Sequence, residues 1–194
     1  DAQKLIESIL QGIPLPSIIL LKPTGDLNHS YEVVDGKQRL TSILRFIGKH
    51  PAALKTVAEA NAKYPNSDLA TLFENDYPAF KKKWKTVTGQ PLTAKTEKSY
   101  FFPFPLSKDL KPLQHDIKTF TGKYYTEIRN AEINIAGNLS YVKDIFESHM
   151  TEYEIPVITY TQATPSQIHR VFNLYNKQGK HLNAEEIRNL SLIH

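Results

Sequence analysis

The apolar positions of the chain change period several times, and each change marks an element. Leu5, Ile6, Ile9 and Leu10 recur at helical spacing over residues 3–11, and Gly12 and Pro14 end that run. Residues 17–21 form a short continuous apolar run, the pattern of a buried strand. A turn-rich stretch at 22–28 lets it pair as a hairpin with a second β-type run at 31–34. Asp35-Gly36 would then read as one more hairpin turn. The following residues argue otherwise: Leu40, Ile43, Leu44 and Ile47 fall at i, i+3, i+4 and i+7, one face of an amphipathic helix. The segment is therefore a strand, a glycine turn and a helix.

Downstream, the pattern predicts a helix over 52–63, then turn-rich loops at 64–68 and 86–98. The aromatic run 100–105 (Tyr-Phe-Phe-Pro-Phe-Pro) is either a binding wall or the packing of an inserted segment against the core. Residues 139–149 read as a helix and 153–160 as a strand, with Pro156 suited to its start or to a sheet edge. Pro165 fits the first turn of a helix running to about Lys177, Gly179 ends it, and Asn183 with Glu186 caps a final helix that turns Ile187 and Leu190 inward. There is no internal repeat and no low-complexity tract. These elements amount to one α/β (α+β) domain over 1–194: a small mixed-sheet core, a helical and loop elaboration at 50–147, and C-terminal helices.

Composition narrows the chemistry. At 194 residues, with 40% hydrophobic and 10% aromatic content, the chain has the material of a globular core. The absence of cysteine removes disulfides, thiolate catalysis and cysteine-type zinc sites, and the seven histidines show no H-x-x-x-H spacing. No apolar run is long enough to cross a membrane, so the expected location is the cytoplasm. A net charge of +4 favours polyanion partners. Part of it sits in Lys81, Lys82, Lys83 and Lys85 around Trp84, which is either a nucleic-acid contact or a solvated helix face or loop.

The strand–turn–helix segment carries the sharpest chemistry. A helix N-terminus presents unpaired N–H groups and a partial positive charge, which suits an anion. Lys37, Gln38 and Arg39 add two cations and an amide to that first turn, and Gly36 permits close backbone approach. The reading is a phosphate site, weighed against an ordinary junction that binds nothing. Its spacing is neither a P-loop nor a dinucleotide fingerprint. Magnesium arriving with a nucleoside triphosphate needs only one or two carboxylates, and Asp35 and Glu32 are the candidates, though Asp35 equally suits a helix cap. A second constellation lies near the C-terminus, where Arg170, Asn173 and Lys177 share a helical stripe with Asn176 nearby.

Three blocks carry a resemblance. D-G-K-Q-R-L-T-S-I-L at 35–44 resembles the D-G-Q-Q-R-L-T-S-L signature of the GmrSD-type restriction-endonuclease N-terminal domain family. L-I-E-S-I-L-Q-G-I-P-L-P at 5–16 is similar to the family's opening, and V-F-N-L-Y-N-K-Q-G-K-H-L leading into E-E-I-R-N resembles its second signature. The chain starts at Asp1 without a Met, at the edge of the family's opening block, and so reads as a piece of a longer protein. The resemblance implies a ParB/sulfiredoxin-like fold whose strand–turn–helix holds nucleotide phosphates. It also implies a role in bacterial defence, with nucleotide hydrolysis controlling a nuclease, often of HNH type on a following domain or partner.

On that basis Asp35, Gln38 and Arg39 are the catalytic candidates, with Mg2+ beside the triphosphate at Asp35. Gly36, Lys37, Thr41 and Ser42, with Asn176 and Gly179 carried over from the family's N-x-x-G, are the nucleotide-binding candidates, to which Arg170 and Asn173 are added from their placement. Lys37 departs from the family, which usually has Gln there. The rival reading is a non-enzymatic DNA-binding module that uses the same turn for DNA phosphate. A nuclease within the chain ranks last, because no nuclease motif is present.

Overall fold

The computed structural model describes residues 2–22, 31–109, 115–135, 137–147 and 153–161, with the single positions 164, 166, 167, 170 and 173. Along the chain these form α1 (Ala2–Leu10), β1 (Ile18–Leu21), β2 (Glu32–Asp35), α2 (Lys37–Phe46), α3 (Pro51–Lys63), α4 (Leu69–Asn75), α5 (Tyr77–Thr88), α6 (Ala94–Ser99), a 3-10 turn (His115–Phe120), α7 (Tyr125–Ile128), β3 (Glu132–Ile135), β4 (Asn138–Tyr141), α8 (Val142–Glu147) and β5 (Val157–Tyr160). The class is mixed α/β, as the periodicity predicts. The chain separates into two compact units, residues 1–16 with 38–155, and residues 17–37 with 156–194.

The second of these is built on a three-stranded sheet of order β2-β1-β5. β1 and β2 pair antiparallel, the hairpin pairing expected of the two apolar runs, and β1 pairs parallel with β5. Pro156 immediately precedes β5 on this edge of the sheet, where a residue without an N–H costs no ladder bond, and its carbonyl accepts from Ile18 N–H at 2.8 Å. The β1–β2 register slips once, with Ile19 opposite Asp35 but Leu20 opposite Val33. That irregularity is a β-bulge, which bends β2 just before the glycine turn.

The larger unit holds two apolar clusters. In the first, Ile6, Ile9 and Leu10 of α1 meet Phe46 of α2, Ile128 of α7 and Ile133 of β3. Phe46 is fully buried at its centre, with the rings of Phe104, Tyr125 and Phe146 at 5.8, 5.5 and 5.6 Å. The second joins α3, α4 and α5 through Val57, Leu69, Phe73, Tyr77, Phe80 and Trp84, closed by Phe102. The chain segments that bound this unit are tied to each other: Tyr153 donates its hydroxyl to the carbonyl of Ile13 at 2.8 Å.

Three sequence expectations change. The strand expected over 153–160 is confined to Val157–Tyr160. Residues 86–98 are not a loop, because α5 continues to Thr88 and α6 begins at Ala94, capped by reciprocal bonds between Thr93 and Thr96. Residues 139–149 are not one helix. Asn138–Tyr141 is a strand paired antiparallel with β3, and the helix begins only at Val142. A tight turn, in which Asn134 Oδ1 accepts from Gly137 N–H at 3.0 Å, folds this segment back onto β3 before helical geometry can start.

The end of α6 has an unusual closure. Phe101 N–H donates to Lys98 O and Phe102 N–H to Glu97 O, at 3.3 and 2.8 Å, the bond pair of a Schellman motif. Its left-handed position is normally glycine, yet here Phe101 occupies it with φ +55°.

Candidate functional site

β2 ends at Asp35, Gly36 turns the chain, and α2 begins at Lys37. Gly36 has φ +93°, a region that only glycine enters without strain, and a Cβ there would stand 3.0 Å from Ile18 Cδ1. The turn therefore requires glycine twice over, for its dihedral and for its closeness to β1. The first turn of α2 carries no acidic residue. Lys37 and Gln38 are exposed, whereas Asp35, Arg39, Thr41 and Ser42 are half-buried. Ser42 Oγ donates to Gln38 O at 2.8 Å, a bond back along the helix that spends its proton locally.

Arg39 does more than offer charge. Its Nη1 donates to the carbonyl of Pro16, the last residue of the 5–16 block. The first turn of α2 is thereby braced on the segment that follows α1, so two of the sequence blocks meet through one guanidinium. That contact spans 23 positions and could not be read from either block alone.

In the second constellation, Thr164 and Gln167 form a capping box: Gln167 N–H donates to Thr164 Oγ1 at 3.3 Å, and Thr164 N–H to Gln167 Oε1 at 2.8 Å. Arg170 and Asn173 have helical backbone and are exposed. Asn176, Lys177, Gly179, Asn183 and Glu186 lie outside the described residues. Among the described residues no group of three or more His, Asp or Glu side chains is arranged to hold a metal ion.

The lysine run lies on α5. Lys82 and Lys85 are exposed and Lys83 is half-buried. Lys81 points inward, with its ammonium 2.7 Å from Glu97 and 2.9 Å from the hydroxyl of Tyr124. Burial draws its pKa down, but the bonds to Glu97 and Tyr124 outweigh that and leave it raised. Glu97, only 5% exposed, also accepts from Tyr77 OH at 3.1 Å and Tyr124 OH at 3.3 Å. Burial first, then Glu97, pushes the Tyr77 hydroxyl far up, so it stays a donor. Nothing in A-K-T-E-K-S distinguishes this buried glutamate from a surface one.

The aromatic run divides by side chain. Phe102 and Phe104 pack inward, Phe104 beneath the Arg45 guanidinium at 5.2 Å, while Tyr100 and Phe101 are exposed. Among the described residues no helix is long and apolar enough to cross a membrane.

No curated protein and no solved structure matches the chain. One family does, over residues 1–193: the N-terminal domain of the GmrSD restriction endonuclease. With essentially its whole length matched, this chain belongs to the GmrSD restriction endonuclease N-terminal domain family, and so to a DNA restriction system with a role in defence.

Proposed function

We propose that this domain binds and hydrolyses a nucleoside triphosphate, and that the turn at Gly36 holds its phosphates. The observation that carries this reading is the φ +93° turn opening directly onto the N-terminus of α2, with Lys37 and Gln38 exposed beside it and no carboxylate in the helix's first turn. Backbone N–H groups, the helix dipole and Lys37 supply an anion site. Arg39, steadied by Pro16, stabilises charge that develops on the transferring phosphoryl group, and Gln38 orients the attacking water. Asp35 supplies one carboxylate to a magnesium ion carried by the triphosphate, which neutralises phosphate charge when bound. Arg170 and Asn173, with Asn176 and Gly179, complete the nucleotide contacts. Hydrolysis in this domain then governs a nuclease in the same restriction system, of the HNH type.

The test is thermal unfolding of wild type and Lys37→Ala with ATP, GTP, CTP and UTP in the presence of magnesium. A triphosphate at a hundred times its dissociation constant adds about 2.7 kcal/mol of stability. The reading expects such a shift for one base, its loss in Lys37→Ala, and retention in Lys37→Gln. Arg39→Ala is expected to slow phosphate release by about 100-fold or more, the usual scale for removing one such donor. No shift for any triphosphate at millimolar concentration removes the proposal.

A further inference from the structure

A concave groove of about 360 Å³ lies on the helical part of the larger unit, between α3, the C-terminal end of α5 and the start of α6. Its walls are aromatic and its floor apolar: Tyr64, Trp84, Tyr100 and Leu92 line it, with Gln90 at the side. Trp84 and Tyr100 stand with ring centroids 6.0 Å apart and planes tilted by 52°. Trp84 is held rigidly against Phe80 and Phe102 at 5.5 Å each, whereas Tyr100 is 38% exposed and free to meet a ligand face. Tyr100 lines the groove, while Phe102, on the other side of the left-handed Phe101, belongs to the core, with the two rings 5.3 Å apart.

The charge around the groove has one prevailing sign. Lys63 lines it, Lys85 sits one turn before the lining residue Thr88, and Lys95 adjoins the lining residue Thr96; all three are exposed, against Glu59 as the one carboxylate on the wall. Lys63 Nζ already rests 5.5 Å from the centre of the Tyr64 ring, so a cation and an aromatic face are presented as a unit. Aromatic faces framed by lysines suit a planar ring attached to a phosphate chain. Duplex DNA keeps its bases stacked and offers no such free face. We infer that this groove receives an unpaired base of a single DNA strand, stacked on Tyr100, with the flanking phosphates on Lys63, Lys85 and Lys95. The inference extends beyond the nucleotide turn and uses none of its residues.

Trp84 is the only tryptophan of the chain, so its emission reports the groove directly. The experiment is a fluorescence titration with oligothymidylate of about twelve nucleotides at low salt, in the absence of any triphosphate. Saturable quenching is expected, weakened about tenfold or more in Tyr100→Ala, the scale of losing one stacked base. Lys63→Gln, at an exposed residue that leaves the fold intact, is expected to reduce the dependence of log affinity on log salt by about 0.7, the value for one phosphate contact on a single strand. Absent quenching, unchanged affinity in Tyr100→Ala with an unchanged melting curve, or equal affinity for a duplex of the same length would overturn the inference. So would saturation by thymidine monophosphate at the oligomer's own concentration, which would assign the groove to a free nucleotide.

Discussion

The buried pair of Lys81 and Glu97 makes a quantitative test of how the helical part of the larger unit is held. The two side chains are unequally placed, with Lys81 28% and Glu97 6% exposed. Removing one partner of a buried pair costs about 3–5 kcal/mol, because the other charge is left uncompensated. Lys81→Met strands the better buried carboxylate, yet Tyr77 and Tyr124 still donate to it, so the loss belongs at the low end, about 3 kcal/mol. Glu97→Gln strands an ammonium that can turn toward water and leaves an amide oxygen for the tyrosines, so about 1–2 kcal/mol is expected. The double variant is expected to lose less than the sum, by about 1–2 kcal/mol. Urea unfolding followed by Trp84 emission measures all three, because Trp84 belongs to the same cluster. Single losses that add to the double within about 0.5 kcal/mol would refute the coupling. The pair also has a pH signature. The raised pKa of Lys81 means that its contribution is complete below the ammonium's unfolded-state value and disappears as pH rises through the folded value. Wild type is therefore expected to lose stability on an alkaline limb that Lys81→Met lacks.

Two further substitutions test the turns. Gly36→Ala places a Cβ 3.0 Å from Ile18 Cδ1 at φ +93°, and a loss of about 2 kcal/mol in urea unfolding is expected; a loss under about 0.5 kcal/mol would mean the turn accommodates a side chain. At position 101, glycine removes about 1 kcal/mol of left-handed strain but also the ring stacked on His50 at 4.3 Å, so Phe101→Gly is expected within about 1 kcal/mol of wild type. Phe101→Ala keeps the strain and loses the ring, and equilibrium unfolding should rank it below Phe101→Gly; the opposite order would contradict the strain argument.

Legibility followed sequence separation. α1, β1, β2 and α2 were readable because each announces itself with a period, and the strand–turn–helix geometry at Asp35 to Arg39 was readable because its pattern is contiguous. α4 and α5 went unpredicted although Leu69 with Phe73, and Tyr77, Phe80 and Trp84, carry helical spacing, because three lysines interleave the second set and a fourth follows it. α6 gave no signal, since its single inward residue is a glutamate whose burial depends on Lys81 and two tyrosines elsewhere in the chain. β4 misled because Leu139, Val142, Ile145 and Phe146 fit a helix while the strand's partner, β3, is recruited by pairing. Likewise, the Pro16 carbonyl beneath Arg39 and the ring pairing of Trp84 with Tyr100 exist only once the chain has folded.

The bond from Tyr153 to Ile13 sets an order of events for folding. β1 and β5 are parallel neighbours, yet the chain between them contains residues 38–155, so zipping them directly from the unfolded state closes a very long loop. Once the larger unit has folded, its own clasp brings the segments that lead into β1 and β5 together, and the remaining loop is a few residues on each side. The entropy saved is about 3 kcal/mol on the logarithmic scaling of loop closure. The small sheet, with the strand that leads into the Gly36 turn, is thus expected to form late and to be lost first, and Tyr153→Phe is expected to shorten the lifetime of that sheet without changing its shape.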